Sequence, residues 1–236
     1  MHTRPDRKSS AYDALTRAVL TMELTPGTDL DEARLGAEYG LSRTPMREVL
    51  RQLAHEGYAE ARENRGVRVA ELSTKSLRGF FMAAPMVYAA ILQLAALHRT
   101  SVQLSALEAA QETFVAALAQ GNAADRALAN TRFHALTGEM AANPYLMPSF
   151  SRLLIDHARI SMTFYQPQDS AMAENISTAS AQHYAIIAAI TARDAQRAGQ
   201  LAHDHWQLSR HQIERFVMPS PLDEPLGLPP TAEGAS

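Results

Sequence analysis

Two short helical patterns joined by a glycine turn, between residues 30 and 57, constrain the fold of this 236-residue chain more than any other feature. Apolar side chains recur at helical spacing over residues 30–39, and Gly40 ends that pattern. A second helical pattern opens at Ser42, with Pro45 in its first turn, where a proline costs no intrahelical hydrogen bond. That second pattern ends at Gly57. Two short helices joined this closely predict a helix-turn-helix.

The segments on either side complete a small domain. Residues 10–24 carry a helical apolar stripe that stops at a Thr-Pro-Gly turn. Residues 58–62 and 66–70 alternate apolar and polar side chains around a turn, which is typical of a β-hairpin. We therefore expect three helices and a hairpin, a winged helix-turn-helix, over residues 10–75. Residues 1–9 are expected to form a disordered polar arm.

The rest of the chain predicts helices only. Of the 42 alanines, 31 fall between residues 78 and 217, and alanine is the strongest helix former. Six helices are predicted, near residues 77–98, 102–119, 123–142, 145–165, 174–191 and 194–217. Pro85 is expected to kink or break the first of them. The predicted fold class is mainly α, with an all-helical bundle over 76–217 and a disordered, proline-rich tail over 218–236.

Composition excludes several classes of protein. The absence of cysteine excludes disulfide frameworks, Fe–S clusters and cysteine-ligated zinc.

The first residues contain no apolar core of a signal peptide, so we expect a cytoplasmic protein. Residues 79–97 carry no formal charge over nearly the length of a membrane span, but their proline, glutamine and alanines favour a buried bundle helix and no membrane. The net charge of −3 does not indicate a nucleic-acid partner, although residues 42–68 hold six arginines against four glutamates.

Arginines and small polar side chains gather at the start of the helix that follows Gly40 and at the hairpin turn. They are Ser42, Arg43, Thr44 and Arg47 on the helix, and Arg65 and Gly66 in the turn. A helix that enters the major groove of DNA presents such residues in its first turns, where an arginine binds either a guanine edge or a phosphate. A glycine in the wing allows close approach to the minor groove. The alternative is a solvated helix face with ion pairs to Glu48 and Glu56. The order of helix, turn, helix and hairpin favours DNA binding.

The stretch LSRTPMREVLRQLAHEGYAEARENRGVRVA, at residues 41–70, is similar to the winged-helix domain of the GntR family of bacterial transcription regulators. The resemblance implies that operator DNA is contacted by Ser42, Arg43, Thr44, Arg47 and Gly66. Family members often place another DNA-contacting arginine where this chain has Ala33, so the adjacent Arg34 is a candidate phosphate contact. Because two recognition helices one DNA turn apart read an inverted repeat, we expect a homodimer on double-stranded DNA.

A winged helix followed by about six helices resembles the FadR-like branch of that family, whose FCD-type helical domain binds a small acid and often a divalent metal. The metal pattern of that branch falls on Asn130, His134, His183 and His205. Asn130 and His134 are four residues apart and share a helix face. Most members carry aspartate in place of Asn130. An amide oxygen brings no charge, so we expect a weakened site that suits zinc or nickel. His203 competes with His205 for the last position, and a set of histidines without any metal is the alternative.

The carboxylate of an acid effector lacks its usual partner in this chain. Members of the branch often have an arginine on the first bundle helix, whereas residues 80–88 carry no charge. The metal itself or Arg159 is therefore expected to hold the carboxylate. We expect a repressor modulated by a small carboxylic acid. The rival interpretations are a regulator with a metal-free pocket and a metal-dependent enzyme. The enzyme is disfavoured because Glu139, five residues after His134, points away from the predicted metal face.

Overall fold

A computed structural model describes residues 6–63, 65–167 and 170–217. Its N-terminal unit consists, in chain order, of α1 (Arg7–Leu20), β1 (Asp29–Leu30), α2 (Glu32–Tyr39), α3 (Arg43–Glu56), β2 (Ala59–Arg62) and β3 (Gly66–Val69). Its C-terminal unit consists of α4 (Thr74–His98), α5 (Ser101–Gln120), α6 (Ala123–Ala141), α7 (Met147–Phe164), α8 (Ser170–Thr191) and α9 (Ala195–Val217). The predicted fold class, a winged helix-turn-helix followed by a helical bundle, is confirmed.

The turn between α2 and α3 is fixed by its flanking residues. The side chain of Asp31 accepts a hydrogen bond from the backbone N–H of Arg34 at 2.6 Å and caps the start of α2. Gly40 ends α2 in the left-handed conformation, with φ at +63°, which a residue with a Cβ adopts only under strain. Ser42 stands at the N-cap of α3, where its side chain makes no capping hydrogen bond. Its hydroxyl therefore stays at the surface.

The core of the N-terminal unit lies between α3, α1 and the sheet. The predicted apolar face of α3 is buried, and it consists of Met46, Val49, Leu50 and Leu53. Strands β2 and β3 pair antiparallel, with Arg62 opposite Gly66, as the hairpin pattern predicts. Strand β1 adds a third strand by pairing antiparallel with β3, with Asp29 opposite Arg68. This two-residue strand was not predicted from the sequence.

The C-terminal bundle is centred on α4, which packs chiefly against α9 and α6. The chain of α4 continues as one helix through Pro85, so the expected break does not occur. Within the described residues, α4 is the one helix long and apolar enough to cross a membrane by length and composition. Tyr88 and Ile91 on its inner face are buried in the bundle, and Tyr88 contacts the rings of Phe150 and Trp206. This packing matches a core helix.

The start of the folded chain differs from the expected arm. Helix α1 begins at Arg7, so the last three residues of the predicted arm are helical. The carboxylate of Asp6 accepts the backbone N–H of Lys8 at the helix start, a capping contact that extends the helix toward the N-terminus. Residues 1–5 and the predicted tail at 218–236 lie outside the described residues.

Candidate functional site

The start of α3 is exposed to solvent. Ser42, Arg43, Thr44 and Arg47 are all exposed there, while Met46 on the opposite side is buried. The structure thus brings the predicted helix residues together on one surface. Arg43 forms no ion pair with any residue in the described part of the chain. Its guanidinium is available to a partner.

Arg47, by contrast, is already paired. Its Nε and Nη2 donate to the two carboxylate oxygens of Glu32 at 3.0 and 2.9 Å. The hydrogen bond from Arg47 is the main reason that the pKa of Glu32 lies below its usual value. Glu32 is a contact that the sequence analysis missed, because it lies fifteen residues earlier in the chain.

The wing formed by β2 and β3 has one unpaired arginine. Arg62 faces Asp29 at 3.7 Å, and Arg68 faces Glu71 at 3.2 Å, so both are neutralised within the sheet. Arg65, at the exposed tip of the turn, has no ion-pair partner among the residues that the structure describes. Gly66 follows it with φ at +77°, and no atom lies within 4 Å of where its Cβ would stand. The glycine is required by its backbone conformation and leaves open space at the tip.

A cleft of about 510 Å³ separates the wing from α3. It is lined by Arg47 and Arg51 from the helix, by Arg65 and Gly66 from the wing, and by Glu32. Arg34 does not line this cleft. It is exposed on α2 and lies 3.4 Å from Glu38, four residues later on the same helix. Of the predicted DNA contacts, the cleft therefore brings together Arg47, Arg65 and Gly66, and its lining does not include Ser42, Arg43 or Thr44.

Three histidines from three different helices meet inside the bundle. His134 of α6, His183 of α8 and His205 of α9 are buried, and each offers a ring nitrogen within 4.8 Å of the others. His203 is exposed, so the alternative for the last position does not join this cluster. Glu139 is exposed and binds Arg132 at 2.8 Å, so it points away from the cluster as expected.

Buried polar atoms in and beside the cluster lack partners. Both ring nitrogens of His134, Nε2 of His183 and Oδ1 of Asn130 have no hydrogen-bond partner among the described residues. Asn130 lies one turn before His134 on α6 and is itself buried. A buried acceptor without a partner costs free energy, and a cation that accepts its lone pair removes that cost. The donor set of imidazole nitrogens and an amide oxygen fits zinc or nickel.

Two glutamines orient the histidines of the cluster. Nδ1 of His183 donates to Oε1 of Gln111 at 2.9 Å, and Nδ1 of His205 donates to Oε1 of Gln182 at 2.9 Å. With the proton on Nδ1, each ring keeps the lone pair of Nε2 for a ligand. Outer contacts of this kind are typical of histidines that bind metals. Neither glutamine was predicted from the sequence, and one of them is 72 residues away from its histidine.

A fourth histidine lies next to the cluster. The ring centre of His157 on α7 is 4.9 Å from that of His134, and Nδ1 of His157 is 2.9 Å from the hydroxyl of Tyr88. Burial lowers the pKa of all four histidines, to about 3 for His157 and about 4 for His205. The pocket is therefore electrically neutral at physiological pH. The sequence offered no reason to separate His157 from the exposed histidines.

Arg159, the expected effector contact, lies at the junction of the two domains. Its Nη1 donates to Oδ1 of Asp156 at 3.1 Å, and its Nη2 donates to the backbone carbonyl of Ala70 at 2.7 Å. Both terminal nitrogens of the guanidinium are thus engaged, by a carboxylate and by the end of the wing. That Arg159 holds an effector carboxylate stays a prediction, and its buried Nε has no hydrogen-bond partner among the described residues.

Two family profiles match the chain. The profile described as "Bacterial regulatory proteins, gntR family" matches residues 7–69, and the profile of the FCD domain matches residues 86–208. The chain belongs to the GntR family. Its winged helix and its bundle correspond to the two matched domains, in the FadR-like arrangement predicted from the sequence.

Known proteins similar to this regulator include two curated relatives. The HTH-type transcriptional repressor GlaR of Escherichia coli is 26% identical over 82% of this chain and 90% of its own length. An uncharacterized HTH-type transcriptional regulator of Agrobacterium vitis, in the TAR-I ttuE-ttuC' intergenic region, is 28% identical over 54% of this chain and 77% of its own length.

Among solved structures, Escherichia coli McbR/YncC superposes with a TM-score of 0.74 at 18% identity, covering 90% of this chain and 100% of that one. At this identity the likeness shows the shared fold. The family match confirms that the regulator is a DNA-binding transcription regulator and not an enzyme.

Proposed function

We propose that this regulator is a cytoplasmic repressor that binds an inverted-repeat operator as a homodimer. The observation that carries the proposal is a pair of exposed guanidiniums without ion-pair partners among the described residues, Arg43 at the start of α3 and Arg65 at the wing tip, where it lines the cleft between the two elements. Unpaired guanidiniums on the helix and on the wing suit the groove edges and phosphates of a duplex. Ser42 and Thr44 add exposed hydroxyl groups at the start of the same helix.

Dimerisation follows from the geometry of operator reading. One α3 helix reads one half-site, so an inverted repeat requires two copies of the chain related by a two-fold axis. Met82 and Met86 on the outer side of α4 are 72% and 69% exposed, although α4 is the most apolar helix of the bundle. Burial of such side chains against a second copy would contribute favourably to association.

The effector pocket is the histidine cluster. His134, His183 and His205, with the amide oxygen of Asn130, would hold a divalent metal of the zinc or nickel class. A bound metal would supply a Lewis-acid site for an anionic oxygen. Gln111 and Gln182 hold two of the rings with their Nε2 atoms free, so the pocket is oriented before any ligand enters.

The charge of the pocket points to the chemical class of the effector. All candidate ligands are neutral, since burial keeps the histidines unprotonated and Asn130 replaces a carboxylate. Asp156, the buried carboxylate nearest to His157 in the chain, is bound to Arg152 and Arg159 instead. A dication is bound more weakly in a buried neutral pocket than in one that holds a counter-charge. A small carboxylic acid supplies that charge.

A selection experiment tests the DNA-binding part of the proposal. The purified regulator is incubated with a pool of random duplexes, and the bound sequences are recovered and read. We expect an inverted repeat with half-sites centred about one helical turn apart. Recovery of unrelated sequences, or of a single half-site bound by a monomer in sedimentation, would contradict the proposed mode of reading.

Elemental analysis tests the metal. Protein purified without chelators is compared with the variant His183→Ala, and we expect about one zinc or nickel per chain in the wild type and a loss of it in the variant. A metal-free wild type that still binds its operator would instead establish a regulator with a metal-free pocket. The substitution of Asn130 for aspartate is the observation that favours that second candidate.

A further inference from the structure

The buried guanidinium of Arg159 joins the two domains of the regulator. Its side chain is 0% exposed and lies between Asp156 of its own helix and the carbonyl of Ala70, which directly follows β3 of the wing. Burying a charge is costly unless it is paired and hydrogen-bonded, and here one of the two stabilising bonds crosses the domain junction. If the bond to Ala70 is lost, the buried guanidinium of Arg159 cannot form a replacement hydrogen bond with water. This bond therefore holds the junction together.

A second polar contact between the two domains is exposed to solvent, unlike that of Arg159. Arg17 of α1 lies 3.7 Å from Asp125 of α6, and both side chains are about half exposed. Exposed ion pairs of this kind stabilise little, because water and salt screen them. Of these two polar contacts, the Arg159 bond is the one whose loss leaves buried atoms without a partner, namely Nη2 of Arg159 and the carbonyl oxygen of Ala70. Arg17 provides a matched control.

The same turn of α7 also reaches the histidine pocket. His157 follows Asp156 directly and stands two residues before Arg159, yet its ring faces His134 at 4.9 Å and its Nδ1 lies 2.9 Å from the hydroxyl of Tyr88. Residues two apart on a helix point to nearly opposite sides. One rigid helical turn therefore contacts the pocket on one side and the wing on the other.

We propose that α7 transmits the occupancy of the histidine pocket to the wing through the bond between Arg159 and Ala70. This inference rests on the proposed function of the pocket and names the element that regulates DNA binding. A ligand that moves the ring of His157 moves the helix turn that carries Asp156 and Arg159. The bond to Ala70 is 2.7 Å long, so a displacement of about 1 Å breaks it. Breaking it detaches the wing from α7 as a unit, because β3 stays paired with β1 and β2, and the position of Arg65 relative to the bundle changes with it.

The test compares two variants that keep the pocket intact. Arg159→Met removes the interdomain bond while Asp156 keeps its pair with Arg152 at 3.3 Å, and Arg17→Met removes the exposed interdomain pair. For each protein, the zinc affinity is measured by competition with a chromogenic chelator. The operator affinity is then measured with EDTA and with saturating zinc, each with and without millimolar acetate as a carboxylate probe.

Each outcome bears on the proposal. We expect the wild type and Arg17→Met to change operator affinity on pocket occupancy by about 5- to 150-fold, the usual range for coupled sites. Arg159→Met should bind zinc within about twofold of the wild type and lose that change in operator affinity. An unchanged ratio in Arg159→Met, an equal loss in Arg17→Met, or a wild type that binds zinc without any change in operator affinity would overturn the proposed transmission.

A metal-independent measurement separates this proposal from the proposed function. In EDTA, calorimetry should show one unfolding transition for the wild type and two for Arg159→Met, because the buried bond joins the domains whatever the pocket holds. If the wild type binds no zinc, the metal part of the proposed function fails. Identical transitions in the two proteins would then count against the buried bond as the link between domains.

Discussion

The guanidinium of Arg47 donates two hydrogen bonds to the carboxylate of Glu32, from Nε at 3.0 Å and from Nη2 at 2.9 Å. One partner is on the recognition helix α3 and the other opens α2, so the pair spans the helix-turn-helix. A phosphate or a guanine edge must compete with this carboxylate for Arg47. The free regulator thus keeps part of its positive charge neutralised until a suitable duplex replaces Glu32.

Glu32→Gln should therefore strengthen binding to arbitrary DNA more than binding to the operator. Removal of the competing carboxylate frees Arg47, and we expect about fivefold tighter binding to a random duplex at low salt. Fluorescence anisotropy at several salt concentrations measures both affinities. Glu108→Gln, exposed on α5, changes the net charge equally and serves as the control. Weaker operator binding by Glu32→Gln would show that Glu32 positions Arg47 for DNA instead of competing with it.

The conformation of Gly66 allows stability and DNA binding to be separated. Its φ of +77° disfavours a Cβ, so Gly66→Ala should lower the free energy of unfolding by about 1 kcal/mol. Asparagine tolerates this conformation better, so Gly66→Asn should be closer to the wild type in stability. Both variants place a side chain at the wing tip and should weaken operator binding. Urea unfolding and anisotropy give the two quantities, and full operator affinity in Gly66→Asn would argue against a close contact of the wing with DNA.

Asn130→Asp should strengthen metal binding. The change places a negative charge on the buried face that carries His134, and we expect about a tenfold or greater gain in zinc affinity without acetate. Acetate should then improve zinc binding less than it does in the wild type, because the pocket already holds a counter-charge. Asn122→Asp adds the same charge at the exposed N-cap of the same helix and should change neither quantity. Isothermal titration measures both, and an equal effect of the two variants would contradict the proposed ligand role of Asn130.

The stability of the metal-free protein should fall in acid. Burial lowers the pKa of His205 to about 4 in the folded chain, while the unfolded chain takes up its proton near pH 6.5. The unfolded state therefore binds more protons between pH 6.5 and 4, and stability is lost as the pH falls through that window. At pH 5 His205 alone accounts for about 2 kcal/mol. Urea unfolding in EDTA at pH 7.5 and 5 should show a smaller difference for His205→Gln, whereas the exposed His203→Gln should keep the wild-type difference.

The helices were predictable because their signals are local. The six bundle helices start and end within a few residues of their predicted bounds, since caps such as Asn122 and the periodic apolar residues act within a few positions. Strand β1 was missed because two residues have no periodicity, and its partner Arg68 lies far along the chain. Pro85 was expected to interrupt α4, but the bundle packed around that helix keeps it continuous.

Residues of the site were predictable only where the family resemblance or the helical spacing indicated a particular position in the sequence. Asn130 and His134 share a helix face by spacing, and the structure places the three predicted histidines together. Gln111 and Gln182 could not be predicted from local sequence patterns, because each forms its hydrogen bond with a histidine on another helix. Arg159 was a candidate partner for an effector carboxylate, and no local signal indicated that long-range packing brings Ala70 to it and engages both of its terminal nitrogens.

The most direct test of the central claim is operator binding by Arg43→Ala/Arg47→Ala. Its control is Arg132→Ala/Arg197→Ala, which removes two exposed arginines from the bundle and leaves the recognition helix intact. In anisotropy titrations with the selected operator, we expect the first double variant to bind at least about a hundredfold more weakly than the wild type. The control should bind within about threefold of it. Undiminished operator binding by Arg43→Ala/Arg47→Ala would contradict the claim that the start of α3 reads DNA.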